Sequence, residues 1–343
     1  MKRVEKHIIS SGYCSKCKRR KTAQAISPQA CVLGENVKKF ITYLVIVMRI
    51  SFGQVKSFMS DTAGLYLSDG EIVDILDEQA QKLTPERNRL LARIRGAPGR
   101  HYDETGWKVQ HEGLGNYCWV NRSTEGEDSV FLMGRSRGKG NAEELQGEAG
   151  NQVGISDDYG AYDNLFAKHQ LCMAHPHRKL RDLRESKILS QISPQAQASC
   201  IKSYETFSTL YADLEQTLAT QYQGEVWLKR RDEYLLRLRE VAIVAVDDPD
   251  KLKKIKQSLN GNAEKYFTCL LQPGIPADNN KAERVLRHLV IKRKKSMGSK
   301  TAKGAEILSI FYSVVISLWR RSKKDFFSAY SHAIRQPINI QAQ

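Results

Sequence analysis

Three acids in this chain stand in contexts that can hold a carboxylate in place. They are Asp103 in His101-Tyr102-Asp103-Glu104-Thr105-Gly106-Trp107, Asp157 in Ser156-Asp157-Asp158-Tyr159-Gly160-Ala161-Tyr162, and Glu283 in Asp278-Asn279-Asn280-Lys281-Ala282-Glu283-Arg284. Three well-separated acids are what a two-metal phosphodiester site needs, because carboxylates must bring the ions to about 3.5–4 Å of one another. Hard oxygen donors suit Mg²⁺ or Mn²⁺. Each acid also has a plain structural role open to it. Asp103 fits a turn cap before Gly106, and Asp157 and Asp158 both fit a turn. Glu283 fits an i,i+4 pair with Arg287 on an exposed face, worth about 0.2–0.5 kcal/mol. Taken singly, each plain role is the better account.

The elements that must position these acids are partly readable. Apolar spacing from Val37 to Met59 is helical. Ser68 with Glu71 three residues on is a capping-box pattern opening a helix along Ile72, Ile75, Leu76 and Leu83. Residues 55–59, a turn near Gly64 and this helix fit a helix-turn-helix. Glu71, Asp74, Asp77 and Glu78 make the second helix acidic, which argues for packing rather than for a major groove. Gly96 to Gly99, around Pro98, reads as a linker. Short strands are expected at residues 117–120, 130–133 and 152–156, the last ending at Asp157. Asp103 sits where a first strand begins or runs. Helical patterns with charged faces fill much of 178–267, and a helix with the stripe Ala282, Val285, Leu286, Leu289 and Val290 carries Glu283. Asp278 or Asn279 is its expected N-cap, and a last apolar helix covers about 305–319. Strands interleaved with helices predict an α/β fold.

The chain has 343 residues, a formal charge of +16 and a pI of about 9.5. Such an excess favours a polyanionic partner, since each neutralised phosphate releases counterions. The charge gathers in Lys16-Cys17-Lys18-Arg19-Arg20-Lys21, Lys292-Arg293-Lys294-Lys295 and Arg320-Arg321-Ser322-Lys323-Lys324. The second run follows Glu283 closely, which points to phosphate contact there. Seven cysteines and no secretory signal set the expectation of a reducing cytoplasm without disulfides. The longest apolar run, Ile41 to Val47, is too short to span a bilayer, so no membrane partner is expected.

Four motifs recur in order: Asp103-Glu104-Thr105-Gly106-Trp107; Asp157-Asp158-Tyr159-Gly160-Ala161-Tyr162; Cys172-Met173-Ala174-His175 with Arg178-Lys179; and Asp278 through Arg284, continued by Arg293-Lys294 and Gly304-Ala305. In this the chain resembles the insertion-sequence-66 family of bacterial transposases over roughly residues 10–325. The resemblance implies an RNase H-like catalytic core with a helical insertion, preceded by a small helical domain and a partial zinc-ribbon-like segment. The implied division is 1–36 zinc-ribbon-like, 37–96 helical, 97–177 and 270–325 the two parts of the core, 178–269 the insertion and 326–343 a tail. It also implies a DDE triad of Asp103, Asp157 and Glu283 holding Mg²⁺ or Mn²⁺. Asp157 is preferred to Asp158 because the family's acid lies two residues before the first tyrosine, here Tyr159. The implied function is a DNA transposase that hydrolyses the phosphodiester at element ends and joins the freed 3′-hydroxyl to target DNA. Such a protein works on paired ends as a homo-oligomer on DNA, in a bacterial cytoplasm at the nucleoid. The alternatives are a catalytically inactive, truncated DNA-binding remnant and a nuclease that cleaves without joining.

Supporting roles follow the same reading. Arg284, Arg287, Lys292, Arg293, Lys294 and Lys295 are expected to contact DNA, while Asn279 and Asn280 are expected to cap their helix. Cys172 and His175 are half of a zinc pattern with no matching second pair, so a packing or DNA-facing role is expected for them. His177 has no assignment. Cys14 and Cys17 form a Cys-x-x-Cys pair with only Cys31 and His7 nearby, short of the four ligands that structural Zn²⁺ takes. The resemblance places the missing Cys pair upstream, as in a truncated copy or one with a misassigned start.

Overall fold

The computed structural model describes residues 11–22, 33–110, 115–148, 150–187 and 189–335. The chain divides into two compact units, Met1–Gln79 and Ala80–Gln343.

In the first unit, β1 (Ser11–Cys14) and β2 (Arg19–Thr22) form an antiparallel hairpin with Cys14 at the end of β1 and Cys17 in the turn. Hydrogen bonds from Cys17 and the Lys16 backbone lower the Cys14 thiol pKa. His7 and Cys31, the other ligand candidates, lie outside the described residues. The helix expected over 37–59 is two helices, α1 (Glu35–Ile46) and α2 (Phe52–Ala63). Ser51 divides them: its hydroxyl accepts from Gln54 N–H at 3.2 Å and its N–H donates to Gln54 Oε1 at 3.0 Å. That reciprocal cap starts a new helix where apolar spacing alone runs on. Left-handed Gly64 ends α2. Ser68 and Glu71 then bond reciprocally at 2.8 and 3.1 Å at the start of α3 (Asp69–Arg95), the capping box expected from sequence.

In the second unit, a three-residue turn at 96–98 leads from the end of α3 into β3 (Gly99–Lys108). Then come β4 (Gly115–Ser123), β5 (Ser129–Gly134), α4 (Lys139–Gln146), β6 (Val153–Ser156) and β7 (Lys168–Leu171). These five strands form one mixed sheet of order β5-β4-β3-β6-β7. β3, β4 and β5 are antiparallel, and β6 and β7 continue from β3 in parallel. The strands at 117–120, 130–133 and 152–156 are where the sequence places them. The four residues of β7 are too few to leave a pattern of their own.

Helices α5 (Ala174–Arg184), α6 (Pro194–Leu218), α7 (Gly224–Val241) and α8 (Asp250–Gly261) follow β7. Val153 and Ile155 of β6 share one apolar core with Leu180 of α5, Phe207 and Leu214 of α6, Leu238 of α7 and Leu259 of α8. Each such side chain contributes roughly 1.5–3 kcal/mol on burial, so this helical segment is held to the parallel half of the sheet by a continuous core.

The chain returns through α9 (Asn280–Ser296), α10 (Ala302–Arg321) and α11 (Phe326–Arg335). The expected tail therefore contains a helix. α10 is long and apolar enough to cross a membrane, but its stripe is used in the core. Ser317 and Ser313 accept from the backbone N–H groups of Ser129 and Phe131 at 3.1 and 2.9 Å, and Tyr312 meets Phe131 edge to face. Serine hydroxyls thus occupy donors that edge strand β5 leaves unpaired, as an exposed edge requires.

Candidate active site

Side chains alternate along β3, as the pleat demands. His101, Asp103 and Thr105 share the face that meets α9, where His101 Nδ1 bonds Asn279 Oδ1 at 2.9 Å and Thr105 Oγ1 accepts from Arg293 at 3.1 Å. Tyr102 and Glu104 point the other way, to Gln146 and Tyr162.

The parallel β3–β6 pair lays the segments that carry Asp103 and Asp157 side by side. His101 is level with Ile155 in that pair. β6 ends at Ser156, and Asp157 follows it directly, close enough for its charge to bear on Asp103. α9 runs beside β3 in the same direction, from Asn279 at His101 to Arg293 at Thr105. Glu283 is one turn beyond Asn279, about 6 Å along the helix. Asp103 is about 6.6 Å beyond His101 along the strand. The negative charge of Glu283 also reaches Asp103. Burial, neighbouring Glu104, and the negative charges of Asp157 and Glu283 push the Asp103 carboxyl well above its ordinary value, against a bond from Glu104 N–H at 2.8 Å.

Asp157 and Asp158 are treated differently. Asp157 accepts from Tyr159 N–H at 3.1 Å and its charge bears on Asp103. Asp158 instead accepts from Ser258 of α8 at 2.9 Å and lies 3.6 Å from Lys179 of α5.

Glu283 does not use Arg287 as its main partner. Arg178 of α5 donates to both of its oxygens, at 2.9 and 2.5 Å. That fork holds the Glu283 carboxyl below its usual value and raises Arg178. Arg178 also donates to His175 Nε2 at 3.3 Å.

The remaining motif residues build the frame, and most of these roles carry no signal in sequence. Glu104, with a side chain only 2% exposed, pairs with Arg137 at 2.6 Å and accepts from Tyr162 at 2.5 Å. Arg137 lies over the Tyr159 ring, whose hydroxyl donates to the Arg137 carbonyl at 2.9 Å. Both motif tyrosines thus clamp the back of β3. Trp107 donates to Ser299 at 3.1 Å, in the turn between α9 and α10. Gly298 in that turn has φ +119, and a Cβ there would lie 2.1 Å from the Lys108 carbonyl, so only glycine fits. His177, unassigned from sequence, stacks on Tyr204 and bonds Ser208 at 3.0 Å.

The expected capping role of Asn279 is corrected. Its side chain makes no cap bond; it joins His101 Nδ1 and the Tyr102 carbonyl, the latter at 2.6 Å. Asp278 turns the chain into α9 by accepting from Asn280 N–H and Nδ2 at 2.9 and 2.7 Å. Asn279→Ala is expected to strand the His101 Nδ1–H, which is fully buried. The loss is about 1–3 kcal/mol, read as a lower denaturation midpoint. An unchanged midpoint would show that α9 is not tied to β3 through this residue. Burial lowers the His101 pKa to about 3, so the ring is the neutral donor that this bond needs.

The basic residues of α9 separate by exposure. Arg284, Arg287, Lys294 and Lys295 are exposed. Lys292 is buried, and Arg293 donates to Thr105 and the Gly106 carbonyl, so these two face the protein rather than solvent. Cys172, His175 and Glu283 bring one ligand atom each to within 4.8 Å of one another, a grouping their sequence positions do not reveal.

A search among curated proteins gives no match. The family model described as transposase IS66 family matches residues 36–307, from α1 into α10 and across all three acids. The chain therefore belongs to the IS66 family of transposases.

Proposed function

We propose that this transposase is a DDE-type polynucleotidyl transferase that hydrolyses the phosphodiester at the ends of its element and joins the freed 3′-hydroxyl to target DNA. The reading is supported by the negative charges of Asp157 and Glu283 that reach the buried Asp103 carboxyl, which burial and Glu104 push upward most. Like charges brought together in a folded protein carry a cost that a divalent cation cancels. The all-oxygen donor set fits Mg²⁺ or Mn²⁺. Asp103, Asp157 and Glu283 would hold the ions, which when bound activate the attacking oxygen and stabilise the leaving one. Asp103 lies on β3 and accepts from Glu104 N–H, and Asp157, just past β6, accepts from Tyr159 N–H. Arg178 keeps Glu283 ionised and aimed until its oxygens are needed.

An RNase H-like core is part of this reading. The five-stranded mixed sheet and the long helical segment between β7 and α9 are compatible with it. So is the division into a partial zinc-ribbon-like segment, a helical domain, a split core and an insertion. Arg284, Arg287, Lys294 and Lys295 are proposed to take backbone phosphates, with a homo-oligomer holding paired ends. Lys292 and Arg293 enter it as residues that fix α9.

The test is joining of a pre-cut DNA end, taken from the flanks of the coding sequence, to plasmid DNA in Mg²⁺ or Mn²⁺. Metal-dependent joined product is expected. DNA binding without joining in either metal would overturn the enzyme and leave a non-catalytic DNA-binding protein.

A further inference from the structure

We propose that Cys172, His175 and Glu283 form a second metal site, one that takes a soft, zinc-class ion. Cys172 follows the end of β7, His175 lies in the first turn of α5 and Glu283 in the first turn of α9. Their ligand atoms lie within 4.8 Å of one another. Tetrahedral zinc, with bonds of about 2.0–2.3 Å, sets ligand atoms roughly 3.3–3.8 Å apart, so a small contraction closes the site. One sulfur, one imidazole nitrogen and one carboxylate oxygen are a zinc donor set, whereas Mg²⁺ takes oxygen alone.

The surroundings suit each ligand. Cys172 Sγ accepts from Asn279 N–H at 3.1 Å, the kind of backbone donor that steadies a metal-bound thiolate. His175 Nε2 accepts from Arg178, so it is unprotonated, and it lies 3.8 Å from a Glu283 oxygen. The ring proton is then on Nδ1, which is buried without a partner. Cys172 forms the buried floor, while the side chains of His175 and Glu283 are 30% and 24% exposed, which leaves an entry path and an open fourth position. A cavity of about 10 Å³, room for roughly one water-sized group, is also lined by Cys172 and His175.

Binding balances without redox change. The Cys172 thiol loses its proton to solvent as the sulfur–metal bond forms. Arg178 releases one Glu283 oxygen and the His175 Nε2 lone pair, and the ion replaces its positive charge. Glu283 then belongs to two sets, a hard one with Asp103 and Asp157 and a soft one with Cys172 and His175. Occupancy of the soft site withdraws it from the hard one. The inference rests on the donor geometry and stands apart from whether the three acids catalyse.

The test uses the full chain with Cys14, Cys17 and Cys31 replaced by Ser, so that the hairpin thiols do not report. The metal-free protein is titrated with Co²⁺ as an optical stand-in for zinc. A thiolate-to-cobalt charge-transfer band saturating at one ion per chain is expected, and Zn²⁺ should displace it while excess Mg²⁺ should not. Cys172→Ser should lose the band, and His175→Gln should weaken binding by about 10-fold or more. Asp103→Asn should keep it, which separates this site from the three-acid site. No band in the parent at excess Co²⁺ overturns the proposal. So does a band that persists in Cys172→Ser or disappears in Asp103→Asn.

Discussion

Asp103→Asn is expected to abolish metal-dependent cleavage and joining while making the metal-free protein more stable. The activity arm follows from position: Asp103 is on the central strand, where the charges of Asp157 and Glu283 reach it. Removing a carboxylate that would hold the ions should lower turnover by about 10²–10³-fold or more. The stability arm follows from the sign of the pKa shift. The folded protein holds the Asp103 proton at pH values where the unfolded chain, near 3.8, has lost it. The folded state therefore binds more protons, and stability falls as pH rises from about 4 through the raised folded value. Below the unfolded value the cost is absent. Asparagine carries no charge, so the variant should lose that part of the slope and melt higher at neutral pH without metal. Melting curves from pH 4 to 8, with and without Mg²⁺, check this. Mg²⁺ should raise the melting temperature of the parent and have little effect on the variant. Full joining activity in Asp103→Asn would remove Asp103 from the site. A variant that melts lower than the parent at neutral pH would show that burial and the neighbouring charges do not make the ionised Asp103 costly.

Asp157→Asn and Asp158→Asn should separate sharply. Asp157→Asn should match Asp103→Asn in activity, a loss of about 10²–10³-fold or more. Asp158 bonds Ser258 and lies near Lys179, with a side chain 31% exposed. An exposed pair of that kind is worth about 0–1 kcal/mol. Asp158→Asn should therefore keep activity within a few-fold and shift stability slightly. Equal losses in both variants, or the larger loss in Asp158→Asn, would reverse the assignment. Single-turnover joining of a pre-cut end reads both variants without interference from DNA release.

The legible parts of the chain are those in which neighbouring residues decide. The Ser68–Glu71 box bonds across one turn, as a local pattern should. The strand around residues 117–120 is a short apolar and aromatic run between turn residues, and the stripe from Ala282 to Leu289 is buried as its spacing predicts. What misled was also local. Apolar spacing over 37–59 runs through Ser51, because periodicity does not register a cap that interrupts it. Asn279 looks like a cap because it precedes a helix, yet the carbonyl and ring it binds are about 180 residues back along the chain, on β3.

Residue type and order by themselves determined that this chain offers three acids in suitable settings, an excess of positive charge and an α/β alternation, and they sufficed to point to its family. Only the tertiary structure decided which groups meet. The charge of Asp157 reaches Asp103, while Asp158 turns to Ser258 and Lys179. The tie of α9 to β3 through Asn279 brings the charge of Glu283 to Asp103 as well, and it turns Arg293 toward Thr105 while leaving Arg284 in solvent. It also sets Glu283 beside Arg178, His175 and Cys172, the partners that spacing alone left as half a site. Contacts between distant segments depend on register and helix direction, and neither is written into any short stretch of residues.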